Sequence, residues 1–272
     1  MSVTRSGIIV ICLFILVGLP YVASTQTDNG IDPEALIERI LTVEQRQGQQ
    51  IDDVVFDAEY IEGEEKDGEF REKIRFIKKV YVKYFLDTSL FFEDYLEYYK
   101  DGQLKSEKDR DKEAKSRKEK KRKRGTKDIS YSMLEPFYPE QRQHYEITYQ
   151  GVTADEIEGY ICHHFRVESI EEVDTRINGD YYFEADSFNL VRVDFSPAKL
   201  VKKAMFRLKQ MAMTIIYGAT EEGFWLPREF NIEGKGKAMF FFGVKFAGTE
   251  YYRNPIINGG INDELFEVEN GD

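Results

Sequence analysis

Apolar and polar residues alternate with a period of two through most of the chain that follows Gly48. Side chains along a β-strand point in turn to two opposite faces, so this pattern predicts strands that each bury one face. Lys78 alone interrupts the alternation of the second such segment. The alternating segments are 54–60, 74–86, 145–149, 161–167, 191–195 and 238–246. Because antiparallel sheets commonly bury one face only, we expect a mainly β protein built on an antiparallel sheet.

A single helix is expected before the strands, over residues 33–47. Asp32 can cap its first turn, and Pro33 suits the first helical position. The apolar residues repeat at helical spacing but form a narrow stripe, at Leu36, Ile37, Ile40 and Leu41. Such a stripe predicts packing of one face against a sheet. One helix and about ten strands together predict a strongly curved antiparallel sheet, a half-barrel.

Three segments near the end of the chain need separate interpretation. Residues 204–217 end in β-branched and aromatic residues, which favours a strand over a helix. Residues 225–227 end in Pro227, which cannot donate to a strand ladder, so we expect a short edge segment. Two glycines within 233–236 predict a hairpin turn, and no helix follows them as a phosphate-binding loop would require.

The 272-residue chain is long enough for one large domain or two small ones. Its 20 Phe and 17 Tyr can build a sizeable core, which excludes a disordered chain although 32% of the residues are charged. One of its two cysteines lies within the first 24 residues. The remaining thiol cannot form a disulfide framework or a cysteine-based zinc site.

The first 24 residues have the features of an export signal. Arg5 supplies the positive start, 8–19 form an unbroken apolar run, and 22–24 end in small residues. A retained anchor helix is the alternative, but it needs about 20 apolar residues, and Pro20 ends the run early. Cys12 lies inside the run and not at its end, unlike the cysteine of a lipoprotein signal. We therefore expect 1–24 to be removed and 25–272 to form one soluble domain in the periplasm.

Residues 105–127 interrupt the alternating pattern with thirteen Lys or Arg and five Asp or Glu. Because hardly any apolar residue is present, we expect a mobile, flexible insertion that is at most transiently helical. A solvated loop is the first interpretation, and docking on anionic lipid headgroups is the alternative. The candidate docking residues are Lys118, Lys120, Lys121, Arg122, Lys123 and Arg124. Nucleic-acid binding is disfavoured because no aromatic residue interleaves with the basic ones.

Residues able to support covalent chemistry are few. His163 and His164 are neighbours on a predicted strand and point to opposite faces, so they cannot hold one metal ion together. Cys162 shares a face with His164 and could form a dyad or a metal site with it, but Arg166 lies beside them. No hydrolase, metalloprotease, phosphate-loop or calcium-loop motif is present. We expect no enzyme activity, no catalytic residue, no cofactor and no metal.

Several apolar residues that share strand faces are candidates for binding a ligand. A single helix has too little surface to cover all of them, which favours a cavity for acyl chains. A filled hydrophobic core under the helix is the equally weighted alternative. The candidate ligand-binding residues are Val80, Val82, Tyr84, Phe165, Phe240, Phe242, Val244 and Phe246.

Short motifs over residues 129–266 occur in an order that resembles the LolA/LolB-like superfamily, especially its outer membrane lipoprotein-sorting members. They are 134–137 with Arg142 and Tyr145, then 158–160, 179–183, 191–193, 223–227 and 258–266. The basic insertion departs from that pattern, and no charged functional residue of a carrier can be matched to this chain. The resemblance implies successive hairpins of a half-barrel whose concave face holds acyl chains.

The resemblance also implies a soluble periplasmic carrier that shields the acyl chains of a lipoprotein or lipid on the way to the outer membrane. Its partners would be those acyl chains, with an inner-membrane transporter and an anionic lipid surface as further candidates, and no nucleic acid. The alternative is an RseB-like signalling or scaffold module that senses lipid-linked molecules and binds a partner protein.

Overall fold

The computed structural model describes residues 31–66, 69–85, 89–123, 133–173, 175–200, 202–203, 206–238 and 242–267. The predicted signal at 1–24 lies outside these residues. The helices are α1 (Pro33–Gly48), α2 (Glu107–Lys123), α3 (Pro139–Arg142) and α4 (Glu264–Glu267), with a 3-10 turn at Glu135–Phe137. The strands are β1 (Asp53–Lys66), β2 (Glu69–Tyr84), β3 (Ser89–Lys100), β4 (Gln103–Leu104), β5 (Tyr145–Val152), β6 (Cys162–Ser169), β7 (Ile177–Glu184), β8 (Leu190–Pro197), β9 (Lys202–Lys203), β10 (Phe206–Ala219), β11 (Trp225–Ala238) and β12 (Phe242–Ile257).

The strands form one antiparallel sheet in the order β4-β3-β2-β1-β12-β11-β10-β8-β7-β6-β5, with β9 beside β10. Its end strands, β4 and β5, do not pair with each other, so the sheet stays open. The last long strand, β12, lies next to the first, β1. The predicted class, a curved antiparallel half-barrel preceded by a helix, is confirmed.

One face of the sheet, which we call the inner face, carries a row of aromatic and aliphatic side chains that is interrupted by Glu250. Residues opposite one another on neighbouring strands point to the same side, so the register identifies this face. The row runs through Tyr98, Phe76, Tyr60, Glu250, Phe230, Ile215, Val193, Tyr181, Phe165 and Tyr149. Alternation along each strand thus produces one apolar surface across the sheet.

Helix α1 and the 3-10 turn at Glu135–Phe137 cover part of the inner face. Leu36, Ile37 and Ile40 of α1 are buried, as expected from the helical stripe. Phe137 is fully buried, and its ring centroid lies 5.1 Å from that of Tyr181 in an edge-on contact. These contacts close the inner face over β6 to β8.

Residues 107–123 of the predicted insertion form helix α2, where at most a transient helix was expected, and the mobility of the insertion stays a prediction. Ser106 begins the helix, because its hydroxyl accepts a hydrogen bond from the amide of Asp109 at 3.3 Å and donates to the Asp109 carboxylate at 2.7 Å. Ala114 packs against the buried cluster that contains Phe76. Residues 124–127 lie outside the described part of the chain. This segment has no apolar stripe from which packing on the sheet could be predicted. Individual contacts of its side chains with the sheet hold the helix instead.

The predicted hairpin turn at 233–236 and the predicted edge segment at 225–227 are both wrong, since β11 runs through them as an interior strand. Position 234 has room only for glycine, because the Phe246 ring lies over it. A Cβ atom there would be 2.4 Å from Phe246 Cζ. Pro227 lies next to a register shift between β10 and β11, where the ladder is irregular.

Candidate functional site

The inner face over β10, β11 and β12 is incompletely covered. Most of its described apolar side chains are half-buried, although Leu208 is only 6% exposed, whereas Phe165, Tyr181 and Val193 on the same face are 0% exposed. The register places Met213 opposite Ile232, so these side chains form one surface. We call this surface the inner trough, formed by Met211, Met213, Ile215, Ile232, Val244 and Phe246.

Glycines replace side chains at two positions of the inner trough. Gly236 lies opposite Val244, and Gly248 lies opposite Ile232. At these two positions the floor is backbone, because no side chain rises from it. The Phe246 ring lies over Gly234, and the Ile232 side chain lies next to Gly248. The glycines therefore allow the apolar side chains of neighbouring strands to pack closely against the sheet.

The structure divides the predicted ligand-binding residues into two groups. Val80 and Val82 are 1% and 9% exposed within a packed cluster, and Tyr84 packs against that cluster. Phe165 is fully buried beneath Phe137. These four belong to closed core, the alternative weighed from the sequence, because residues distant in the sequence cover them.

The other predicted residues follow β12. Val244 and Phe246 lie in the inner trough. The register places Phe242 on the same face, although its side chain is outside the described part, and Phe240 lies outside the described residues. Sequence reasoning missed Met213 and Ile232. Alternation of apolar residues within 211–217 and within 228–232 could have identified them. It would have required recognising β11 as one continuous strand.

A buried charged cluster borders the trough on the β2 side. The Lys78 ammonium contacts the Glu93 carboxylate and lies 2.8 Å from Glu250 Oε1, and the Lys78 side chain is 4% exposed. The Tyr95 hydroxyl donates to Glu93 at 3.0 Å. Burial lowers the pKa of Lys78, but the two carboxylates outweigh it and the net pKa is raised. Lys78 therefore stays charged inside the protein.

Arg117 of α2 extends this charged border. Its Nη2 lies 2.8 Å from Glu62 Oε2, which also accepts the Tyr60 hydroxyl at 3.0 Å. The guanidinium carbon lies 4.9 Å from the centroid of the Phe76 ring. Burial opposes the charge of Arg117, yet Glu62 raises its pKa. Since Glu62 lies opposite Gly248 in the register, the trough has an apolar floor and a charged edge.

Lys118 is the one predicted docking residue whose side chain the structure describes. Its ammonium lies 4.8 Å from the centroid of the Phe92 ring, so it packs against the sheet. The helix continues through 120–123, and Arg124 lies outside the described residues. Docking of this segment on anionic lipid remains a prediction.

Cys162, His163 and His164 of β6 each contact a different group. Cys162 is fully buried, and burial raises the pKa of its thiol to about 11, so little thiolate forms at neutral pH. His164 Nε2 instead lies 2.9 Å from Asp180 Oδ1. His163 is on the other face, as predicted, with Nδ1 2.9 Å from the Tyr149 hydroxyl, and burial lowers its pKa. Across the described residues, no three His, Cys, Asp or Glu side chains are placed to hold a metal ion.

No protein-family model matches this sequence, and no curated protein does. Solved structures do match in architecture. A DUF1329 family protein from Desulfovibrio piger is 13% identical over 87% of this chain and 98% of that chain, with a TM-score of 0.46. A putative outer membrane lipoprotein-sorting protein domain from Vibrio parahaemolyticus is 11% identical, covering 86% and 99%, with a TM-score of 0.39.

A LolA superfamily protein from Nitrosomonas europaea is 7% identical, covering 84% of this chain and 96% of that chain, with a TM-score of 0.35. The likeness is one of architecture. No site residue is transferred from these proteins. None of the described helices is long and apolar enough to cross a membrane.

Proposed function

We propose that this protein binds and shields the acyl chains of a lipid or lipoprotein in the inner trough. The observation that carries the proposal is the incomplete cover over β10 to β12, where Met213, Ile215 and Ile232 stay half-buried, whereas Phe165, Tyr181 and Val193 on the same face are fully buried. An apolar surface of this kind gains free energy when a ligand removes it from water, by roughly 25 cal/mol per Å².

The trough is also long enough for an extended chain. Ile215 follows Met211 by four residues along β10, which at about 3.3 Å per residue corresponds to about 13 Å. The lining is mainly aliphatic, and the charged groups are confined to the border near Glu250 and Glu62. This arrangement suits a flexible apolar chain better than a planar or highly polar molecule.

We place this binding in the periplasm, in a carrier that requires no covalent chemistry. The signal pattern of residues 1–24 and the resemblance of 129–266 to lipoprotein-sorting proteins support that placement. An inner-membrane transporter that loads the protein, and an anionic lipid surface, are the further partners that we propose.

Two adjacent isoleucines provide a matched test. Ile215 lies on the inner face opposite Val193, and Ile216 lies on the other face opposite Arg192, with both half-buried. Threonine keeps the branched shape that strands favour but adds a hydroxyl. We expect Ile215→Thr to weaken binding of a fluorescent fatty acid roughly tenfold, the equivalent of about 1.4 kcal/mol, with little change for Ile216→Thr.

Melting temperatures of both variants provide the stability control. Equal affinities for the two variants and the original chain would contradict binding in the inner trough. Absence of any co-purifying or added lipid from the folded protein would instead favour the RseB-like signalling alternative.

A further inference from the structure

A polar groove of about 580 Å³ lies along α1, apart from the inner trough. Its walls are one side of α1, the turn at 186–189 between β7 and β8, and the turn at 222–224 between β10 and β11. This volume falls within the range of roughly 300–1,000 Å³ that is typical of small-ligand sites.

The walls of this groove are held in place by hydrogen bonds. The Gln47 side chain donates to the Trp225 carbonyl at 2.9 Å and accepts from the Trp225 amide at 2.7 Å, which ties α1 to the start of β11. In the other turn, the Phe188 amide donates to the Glu184 carbonyl at 2.9 Å, and the Glu184 carboxylate accepts from the Ser187 amide. A ligand would find the groove already formed.

Phe188 forms the base of the groove in an unusual conformation. Its φ is 62°, a region that bulky residues rarely adopt, and its side chain is 7% exposed. The ring stacks on His163 with centroids 5.5 Å apart, and the Arg39 guanidinium lies 4.1 Å from its centroid. Strain of this kind persists where surrounding contacts hold it, often at ligand sites. Here the ring of the strained residue packs against Arg39.

The groove carries opposite charges on its two sides. Arg39 and Arg46 are seven residues apart on α1, nearly two turns, so they project from one helix face about 10 Å apart. Asp186 and Glu222 lie on the facing turns. In the part of the chain that the structure describes, no ion pair joins either arginine to a carboxylate. The charges are thus available to a ligand.

The charged groove adjoins a small cavity of mixed lining. Val43, Gln47 and Phe188 line both the groove and this cavity of about 90 Å³ beneath α1. Its other lining residues include apolar Ile40 and Leu190 and the polar side chain of Glu44. The cavity extends to Tyr217, which lies two residues after Ile215 of the inner trough along β10. Shared lining residues therefore connect the charged groove with the side of the sheet that carries the inner trough.

We propose that this groove binds the zwitterionic headgroup of an amphiphile, with a phosphate between Arg39 and Arg46 and an ammonium toward Asp186 and Glu222. The inference rests on the proposed function, because the tail would extend beneath α1 toward the inner trough. Guanidinium groups match phosphate oxygens through paired hydrogen bonds, and carboxylates pair with the ammonium. The ligand class is a phosphoethanolamine-type lipid.

The test compares lysophosphatidylethanolamine with an uncharged monoacylglycerol of the same chain length, by displacement of a fluorescent fatty acid. We expect the original chain to bind the lysolipid at least tenfold more tightly. The double variant R39Q/R46Q should lose that preference and keep its affinity for the monoacylglycerol. R207Q serves as the control, since Arg207 is an exposed arginine of β10 that does not line the groove.

A second double variant, D186N/E222Q, tests the carboxylate side, and we expect it to shift preference toward lysophosphatidylglycerol, which lacks the ammonium. Free O-phosphoethanolamine should compete far more weakly than the lysolipid, and equal competition would overturn the assignment to an amphiphile. Equal affinity of the original chain for the two lipids would overturn the inference alone. Failure to bind either lipid would overturn the proposed function as well.

Discussion

At the scale of single residues, Lys78 is the most consequential side chain of the inner face. It occupies a position that alternation reserves for an apolar residue, and it lies between two carboxylates with its side chain 4% exposed. A buried ion pair adds little net stability, but removing one partner leaves an uncompensated charge. Without Lys78, Glu93 and Glu250 would face each other across a buried space.

Lys78→Met should therefore destabilise the protein by roughly 3–5 kcal/mol, as measured by urea unfolding. Lys79→Met is the matched control, because Lys79 pairs with Asp57 at 2.9 Å on the exposed face. We expect that change to cost less than about 1 kcal/mol. Similar losses for the two variants would contradict the burial of the cluster.

At the scale of elements, α2 is a strongly charged helix that packs through very few side chains. Arg110 Nη1 donates to the Leu96 carbonyl at 3.0 Å, Ala114 packs beside Phe76, and Arg117 contacts Glu62. Isolated helices of this length are marginal in water, so these contacts decide whether α2 is populated.

Arg117→Ala should speed hydrogen exchange across α2, whereas Lys115→Ala should not. Both changes introduce the best helix former, so intrinsic propensity cannot explain a loss. Lys115 is exposed, whereas Arg117 is half-buried against the sheet. Mass-spectrometric exchange over 107–119 measures the difference, and equal protection in the two variants would show that Arg117 does not hold the helix.

At the scale of the whole molecule, the sheet joins the first and last strands. Asp53 at the start of β1 is 4% exposed, and its carboxylate accepts from the amides of Gly260 and Ile261, each at 3.0 Å. Its carbonyl accepts from the Asn258 amide at 2.8 Å. These bonds link segments more than 200 residues apart in the chain.

Asp53→Ala should cost about 1.5–3 kcal/mol of unfolding free energy, because it removes the buried carboxylate that accepts hydrogen bonds from the amides of Gly260 and Ile261. Asp52→Ala, at an exposed neighbouring position, should leave the unfolding free energy almost unchanged. The urea concentration at the midpoint of unfolding is measured for both variants. An unaltered midpoint for Asp53→Ala would mean that other contacts join β1 to the segment after β12.

Much of this fold follows from near-neighbour patterns. Alternation predicts β1, β2, β5, β6 and β8 with their faces, and the spacing from Leu36 to Ile40 predicts α1, because strand and helix periods depend on adjacent residues. The two histidines of β6 were assigned to opposite faces for the same reason. Local turn signals were less informative, since Gly234 is needed for a close ring contact and not for a turn.

Sequence alone determined that one face of each strand is apolar and that one helix begins the described fold. Tertiary structure decided which part of that face stays open, because cover comes from residues far away in the chain. Val80 is closed in by its cluster, whereas Met213 and Ile232 stay half-buried. It also decided the burial of Lys78, the docking of α2, and the meeting of Arg39 and Asp186 at one groove.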